Sequence, residues 1–140
     1  EQVKLKEKGG NKTVLAGIPE SLPALVKAYR IQDKVANVGF DWEKREDVWA
    51  KVKEEIAEFE VEVDHMDEAK ATEEMGDLIF ALVNAARLYN IRPDNALEKT
   101  NAKFIKRFNY IEQKAKEKGQ SLNDMTLDEM EALWQEAKKA

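Results

Sequence analysis

The chain has 140 residues, a length that fits one domain with a single core. Charged residues make up 36% and apolar residues 43%, a balance typical of a helix-rich globular protein. The 28 acidic residues outnumber the 23 basic ones, and the net charge of −5 disfavours nucleic-acid binding, which needs a surplus of cations. The absence of cysteine excludes disulfides, zinc thiolates and thiol nucleophiles, and one histidine excludes most histidine-based metal sites.

The beginning of the chain carries no targeting or membrane signal. No apolar run approaches the ~20 residues that a membrane span requires, and no signal peptide opens the sequence. We therefore expect a cytoplasmic protein without a membrane partner. Residues 1–20 contain Gly9, Gly10, Gly17 and Pro19 without a sustained hydrophobic period, which predicts a linker or tail ahead of a domain over residues 21–140.

Beyond residue 20 the hydrophobic period and the end signals predict helices only. Ser21 is the expected N-cap of the first helix, with Pro23 in its first turn and Gly39 as its stop. Thr126 and Glu129 have the spacing of a capping box. The five helices are predicted over residues 22–38, 45–63, 67–90, 93–118 and 126–138.

Long helices with short connections favour an antiparallel bundle, so the predicted fold class is all-α. Four apolar stripes in so small a chain would bury more surface against a second copy, and we therefore expect a homodimer. The side chains predicted to face the core are Val48, Val52, Ile56, Phe59 and Val63 on the second helix, Met75, Ile79, Leu82, Val83, Ala86 and Tyr89 on the third, and Leu97, Phe104, Phe108, Ile111 and Ala115 on the fourth.

Two acidic pairs, Glu55 with Glu58 and Glu74 with Asp77, have i, i+3 spacing on consecutive helices. On a helical wheel with Val48 at zero, Glu55 falls near −20°, inside the apolar arc, and Glu58 falls at its edge. Antiparallel helices would bring the four carboxylates together, and such hard oxygen ligands suit Mg²⁺ or Mn²⁺ shared with substrate phosphates. The alternative is a set of solvated acids on helix surfaces.

The fourth helix offers cations that complement this acidic group. Lys103 and Arg107 lie one turn apart and suit phosphate oxygens, although an exposed basic face paired with nearby acids would have the same spacing. Together, the acids and cations indicate a magnesium–polyphosphate site, and the lack of a Gly-rich loop excludes a P-loop enzyme. Trp134 suits either packing or stacking on a nucleobase.

The acidic motif Glu54-Glu55-x-x-Glu58, followed by Glu74-x-x-Asp77, resembles the EExxE…ExxD signature of the all-α nucleoside triphosphate pyrophosphohydrolases, and is most similar to MazG. The resemblance covers about residues 18–138. It extends to three flanking segments, Gly39-Phe40-Asp41-Trp42, Trp49-x-Lys51-Val52 and Asn101-x-Lys103-Phe104-x-x-Arg107-Phe108.

This resemblance implies a homodimeric helical enzyme that hydrolyses nucleoside and deoxynucleoside triphosphates to a monophosphate and pyrophosphate. It implies an ATP diphosphatase type of activity with Mg²⁺, for which Mn²⁺ could substitute, in the C-terminal catalytic half of a two-domain MazG protein. The alternative is a non-catalytic helical domain that binds a nucleotide or a partner through its acidic face. A di-iron bundle is excluded, because it requires a Glu-x-x-His pair on each of two helices and the chain contains a single histidine.

The resemblance also assigns roles residue by residue. The implied metal ligands are Glu55, Glu58, Glu74 and Asp77. The implied catalytic residues are Glu54, Glu55 and Glu58, of which Glu54 would position or activate the attacking water. The implied substrate-binding residues are Lys51, Glu54, Lys70, Glu73, Lys103, Arg107, Trp134 and Lys138.

Overall fold

A computed structural model describes residues 13–140, so residues 1–12 of the predicted linker lie outside the described part of the chain. Within 13–140 the regular structure is helical and contains no strand, which confirms the all-α prediction. The predicted helix ends lie within three residues of the observed ones. The helices are α1 (Ala24–Asn37), α2 (Val48–Asp64), α3 (Glu68–Leu88), α4 (Pro93–Glu117) and α5 (Leu127–Lys139), and short 3-10 turns over Arg45–Asp47 and Leu122–Asp124 precede α2 and α5.

The helix starts are fixed by side-chain caps at two places. Thr126 and Glu129 form the predicted capping box at the start of α5, and Asp67 caps α3 by accepting a hydrogen bond from a backbone N–H. The predicted N-cap of α1 was wrong. Its N-cap is Pro23 rather than Ser21, and no side chain bonds to its first turn, because the fixed φ of proline already suits a helix start.

Helix ends depend on residues with left-handed backbone conformations. Gly39 has φ +94° just after α1, as its predicted role as a stop requires. Met66 follows α2 with φ +56°, and Asn90 follows α3 with φ +61°. Asparagine tolerates this conformation, whereas in methionine the Cβ atom makes it sterically unfavourable.

The chain forms two compact units, the first ending at Asp94 and the second comprising Asn95–Ala140. In the first unit, α2 and α3 pack along each other in antiparallel directions. Trp49 at the start of α2 donates a hydrogen bond to the Tyr89 hydroxyl just after α3, over 3.1 Å. The core of this pair contains the buried side chains of Val48, Val52, Ala81 and Ala85, with Leu78, Leu88 and Tyr89 packed against them.

The first helix packs on α3 through a buried polar contact. Gln32 lies in the middle of α1 and donates from Nε2 to the Phe80 carbonyl oxygen over 2.9 Å. The segment after α1 is tied to α3 by an ion pair, in which Arg87 Nη2 lies 2.6 Å from Asp41 Oδ1. Both contacts hold α1 and its following loop against α3.

The second unit joins most of α4 to α5. Ile111, Ala115 and Leu133 are buried. The two helices meet where the Phe104 and Trp134 rings lie 5.1 Å apart, and where the Tyr110 hydroxyl donates to Glu136 over 3.2 Å. No helix of residues 13–140 has both the length and the apolar character to span a bilayer.

The predicted core positions were correct for one part of each stripe. Val48, Val52, Val83, Ile111 and Ala115 are buried. Apolar residues surround most of α3. The neighbouring α2 packs against the small side chains Ala81 and Ala85, where the two helices can approach closely, and not against the bulkier Ile79 and Leu82. The residues predicted to be buried but found exposed are Ile56, Val63, Met75, Ile79, Leu82, Leu97 and Phe104.

Candidate active site

The acidic side chains of α2 and α3 converge in the first unit. Carboxylate oxygens of Glu54, Glu55 and Glu58 lie within 4.8 Å of one another. Oxygens of Glu55, Glu74 and Asp77 form a second group with the same spacing. Glu55 belongs to both groups, so it links the acids of α2 with those of α3. We call these five residues the carboxylate cluster.

The position of Glu55 follows from the stripe to which it belongs. It lies one turn after Val52, on the face that packs against the alanines of α3, and only 5% of its surface is exposed. Glu58 lies at the edge of that face and is exposed, as the helical wheel predicts. Oε2 of Glu55 and Oε2 of the half-buried Glu74 have no hydrogen-bond partner within the described chain. Buried carboxylate oxygens without a partner are costly.

One cation partly compensates the cluster. Lys51 Nζ lies 2.9 Å from Glu55 Oε1 and 3.6 Å from Glu54 Oε1. The hydrogen bond with Glu55 is the main reason why the pKa of Lys51 is raised. This lysine was predicted to bind substrate, and its ammonium group already lies at the cluster. Among the described residues Lys51 pairs with Glu54 and Glu55 on α2, and it forms no ion pair with Glu74 or Asp77 on α3.

The crowding of like charges is reflected in Glu58. The negative charge of Glu55 raises the pKa of Glu58 to about 6, with further contributions from desolvation and from a hydrogen bond with Glu74. A carboxyl group favours its protonated form when other carboxylates surround it. A divalent cation placed among these oxygens would offset that repulsion.

The donor set of the carboxylate cluster fits a hard divalent cation. It contains carboxylate oxygens only, two of which are buried and unpartnered, and it includes neither imidazole nor thiolate. Oxygen ligands of this kind suit Mg²⁺, Mn²⁺ or Ca²⁺ rather than softer metals.

Two further predicted residues on α3 lie outside this cluster. Glu73 is exposed and belongs to neither carboxylate group, although it precedes Glu74. Lys70 is exposed in the first turn of α3, where its backbone N–H donates to Asp67. Neither side chain makes a contact that indicates a role.

The remaining predicted substrate-binding residues belong to the second unit. Arg107 is half-buried, and its guanidinium carbon lies 5.5 Å from the centre of the Trp134 ring. Lys103 and Lys138 are exposed. Trp134 lines an open groove of about 290 Å³, in which Glu131 is the one charged lining residue. The other lining residues are Phe104, Phe108, Ile111, Leu127 and Met130.

Sequence reasoning missed the residues that hold the loop preceding α2. Arg87 binds Asp41 with both terminal nitrogens, and its Nε donates to Asn84 over 3.0 Å. Its side chain is only 10% exposed. The sequence did offer a signal. Arg87 follows Ala85 and Ala86 near the end of α3, and a guanidinium that is buried there requires an acidic partner.

Comparisons with known proteins show which family this chain is similar to. Residues 43–111 match the family model of the MazG nucleotide pyrophosphohydrolase domain. The chain is 43% identical over 143 residues to a nucleoside triphosphate pyrophosphohydrolase of Escherichia coli strain K12, covering 99% of this chain and 54% of that protein. It is 37% identical over 139 residues to the nucleoside triphosphate pyrophosphohydrolase/pyrophosphatase MazG of Thermotoga maritima, covering 99% and 53%.

A third relative is the uncharacterized protein YabN of Bacillus subtilis, which is 50% identical over 143 residues. The alignment covers 99% of this chain and 29% of YabN. The chain therefore spans about half the length of the first two relatives, and less than a third of YabN.

Proposed function

Because the chain belongs to the MazG family, we propose that it hydrolyses nucleoside triphosphates to a nucleoside monophosphate and pyrophosphate. The observation that carries this proposal is the convergence of Glu55, Glu74 and Asp77 from two helices, with buried carboxylate oxygens that lack a partner. A solvated acidic surface would leave such oxygens in contact with water.

The proposed metal is Mg²⁺, with Mn²⁺ as a substitute. Glu55, Glu58, Glu74 and Asp77 would hold it, since their oxygens form the two overlapping groups of the carboxylate cluster. When bound, such an ion neutralises phosphate charge and lowers the pKa of a coordinated water. The four carboxylates would also fix the orientation of the triphosphate by fixing the position of its counter-ion.

Other residues of the chain would bind and orient the reactants. Glu54 is exposed beside Glu55, and we propose that it orients the attacking water and accepts its proton. Lys51 lies beside Glu54 and Glu55 and would also contact substrate phosphate. Lys103 and Arg107 would hold phosphate oxygens, the arginine in a bidentate manner. Lys70, Glu73, Trp134 and Lys138 complete the proposed substrate-binding set.

Three finer properties belong to this proposal. The activity would be of the ATP diphosphatase type, and deoxynucleotides would also serve as substrates. The enzyme would act in the cytoplasm, where nucleoside triphosphates are held. It would form a homodimer, because α2 and α3 leave large apolar side chains exposed, among them Ile56, Ile79, Phe80 and Leu82.

Product analysis tests the activity. The chain is incubated with ATP and each other nucleoside triphosphate in the presence of Mg²⁺, and the products are separated by ion exchange. AMP and pyrophosphate from ATP, both absent when EDTA is added, are expected. ADP and phosphate would mean that a different bond is cleaved. No turnover of any triphosphate would support the alternative of a binding domain without catalysis.

A further inference from the structure

The guanidinium of Arg107 is held by an aromatic ring rather than by an acid. Its Cζ lies 5.5 Å from the centre of the Trp134 ring, within the range of a cation–π contact. Within residues 13–140 no carboxylate forms an ion pair with it at 4.0 Å or less. Arg87 differs, since both of its terminal nitrogens bind Asp41. In the described part of the chain, no carboxylate therefore competes for the N–H donors of Arg107.

The ring that holds Arg107 is itself fixed in place. Trp134 packs at a tilt of 49° against Phe104, with 5.1 Å between the ring centres, and Phe104 stacks on Phe108. Trp134 is half-buried. These ring contacts restrict the orientation of the indole that faces Arg107.

We propose that Trp134 is a positioning residue that holds Arg107 ready to bind the triphosphate. A cation–π contact with an aromatic ring does not use up the N–H groups of a guanidinium, which stay available for phosphate oxygens. It also restricts the rotamers of a long side chain before the substrate arrives, so that less freedom is lost on binding. The inference rests on the proposed role of Arg107 as a phosphate ligand.

This role differs in its consequences from stacking on a nucleobase. If Trp134 acts through Arg107, its contribution persists with a triphosphate that has no base. If Trp134 only contacts the base, its replacement has no effect on such a ligand. A base-free triphosphate therefore separates the two roles, whether or not the chain catalyses hydrolysis.

The test measures binding of bis-methylene triphosphate, a base-free analogue with non-hydrolysable bridges, by calorimetry of the full chain with Mg²⁺. Trp134→Leu should weaken binding about 3- to 5-fold, the effect of losing one cation–π contact, and Trp134→Phe should recover part of it. Tyr110→Phe is the matched control, because it alters another contact between α4 and α5, and should bind like the wild type.

A double-mutant cycle identifies the route of the effect. In an Arg107→Gln background, Trp134→Leu should cause no further loss, since the contact is already absent. The inference would be overturned if Trp134→Leu bound the analogue as tightly as the wild type does. It would also be overturned if Trp134→Leu weakened binding equally in both backgrounds, or if the wild type did not bind the analogue. Failure of the proposed function would instead be seen as missing AMP and pyrophosphate in the product analysis.

Discussion

Glu55 is the residue at which the core of the first unit meets the candidate site. It occupies a core position on α2, yet it carries a charge that one lysine only partly compensates. A carboxylate there costs folding free energy unless it binds a counter-ion. The cluster is therefore expected to oppose stability when no metal is bound, and to gain stability with metal by mass action.

The first prediction concerns Glu58, whose pKa is raised to about 6 by the charge of Glu55 and by lesser effects. Glu58→Gln should lower turnover at least about 100-fold, because a metal ligand is lost. The same change should raise Tm in EDTA, because it removes repulsion between like charges. Both effects can be measured on one preparation, by product analysis and by thermal unfolding followed by circular dichroism.

Glu60→Gln provides the control for that variant. Glu60 is an exposed acid on the same helix that belongs to neither carboxylate group. The Glu60→Gln variant should have turnover and Tm close to the wild-type values. Normal turnover by Glu58→Gln, or a lower Tm in EDTA, would contradict the assignment of Glu58.

At the scale of the helices, the hydrophobic period predicted where each helix lies in the sequence. It was less successful at predicting which face of each helix is buried. The wheel placed Glu55 inside the apolar arc of α2, and the structure agrees. On α3 it favoured Ile79 and Leu82, whereas Ala81 and Ala85 are buried against α2. A helix that is apolar on most sides has several possible contact faces, and the close approach of its partner decides which one is used.

The end of α2 gives a prediction about backbone strain. Met66 has φ +56° and is 88% exposed, so its side chain contributes little packing. Met66→Gly should stabilise the fold by about 1 kcal/mol, because glycine adopts this conformation without a steric cost. Met66→Ala retains the Cβ and should show no such gain. Urea unfolding measures both, and equal stability of the two variants would contradict the explanation.

The loop before α2 gives a prediction about pH. Burial would raise the pKa of Asp41, but hydrogen bonds from Arg87 and from the Trp42 backbone hold it below the ordinary value of 3.8. The folded state therefore binds this proton less readily than the unfolded state. The stabilisation is complete above the unfolded pKa and is lost as the pH falls through the lower folded pKa.

Asp41→Asn should accordingly lower the free energy of unfolding by about 1–2 kcal/mol near neutral pH, since a charge-assisted hydrogen bond is lost. The difference from the wild type should shrink below about pH 4. Urea unfolding at several pH values measures it, with Glu43→Gln in the same loop as control. A difference that stays constant down to about pH 2 would contradict the role of the Asp41 charge.

At the scale of the whole molecule, the exposed apolar side chains of α2 and α3 predict self-association. Leu82 is 46% exposed on α3, and Leu82→Glu should shift a dimer toward the monomer, because it would place a charge in an apolar interface. Leu127→Glu changes an exposed leucine of the second unit and should leave the dimer intact. Light scattering after gel filtration gives the mass, and a monomeric wild type would contradict this proposal.

The hydrophobic period and the helix-end signals predicted an all-α chain, and the spacing of the acids predicted the carboxylate cluster. They could not predict the pairing of Lys51 with Glu55, because several acids lie within reach of that lysine along the helix. The contact of Arg107 with Trp134 joins two helices. Contacts of that kind depend on how the elements pack, which the local period of a sequence does not specify.

The central claim is that water attacks the α-phosphorus in a metal-dependent reaction. ATP hydrolysis with Mg²⁺ in ¹⁸O-labelled water tests this claim most directly. Both products are analysed by mass spectrometry, with an EDTA control and the Asp77→Asn variant. The predicted result is label in AMP and none in pyrophosphate, with no turnover in either control. Label in pyrophosphate would show attack at the β-phosphorus, and turnover in EDTA would contradict a role for metal, so either would refute the claim.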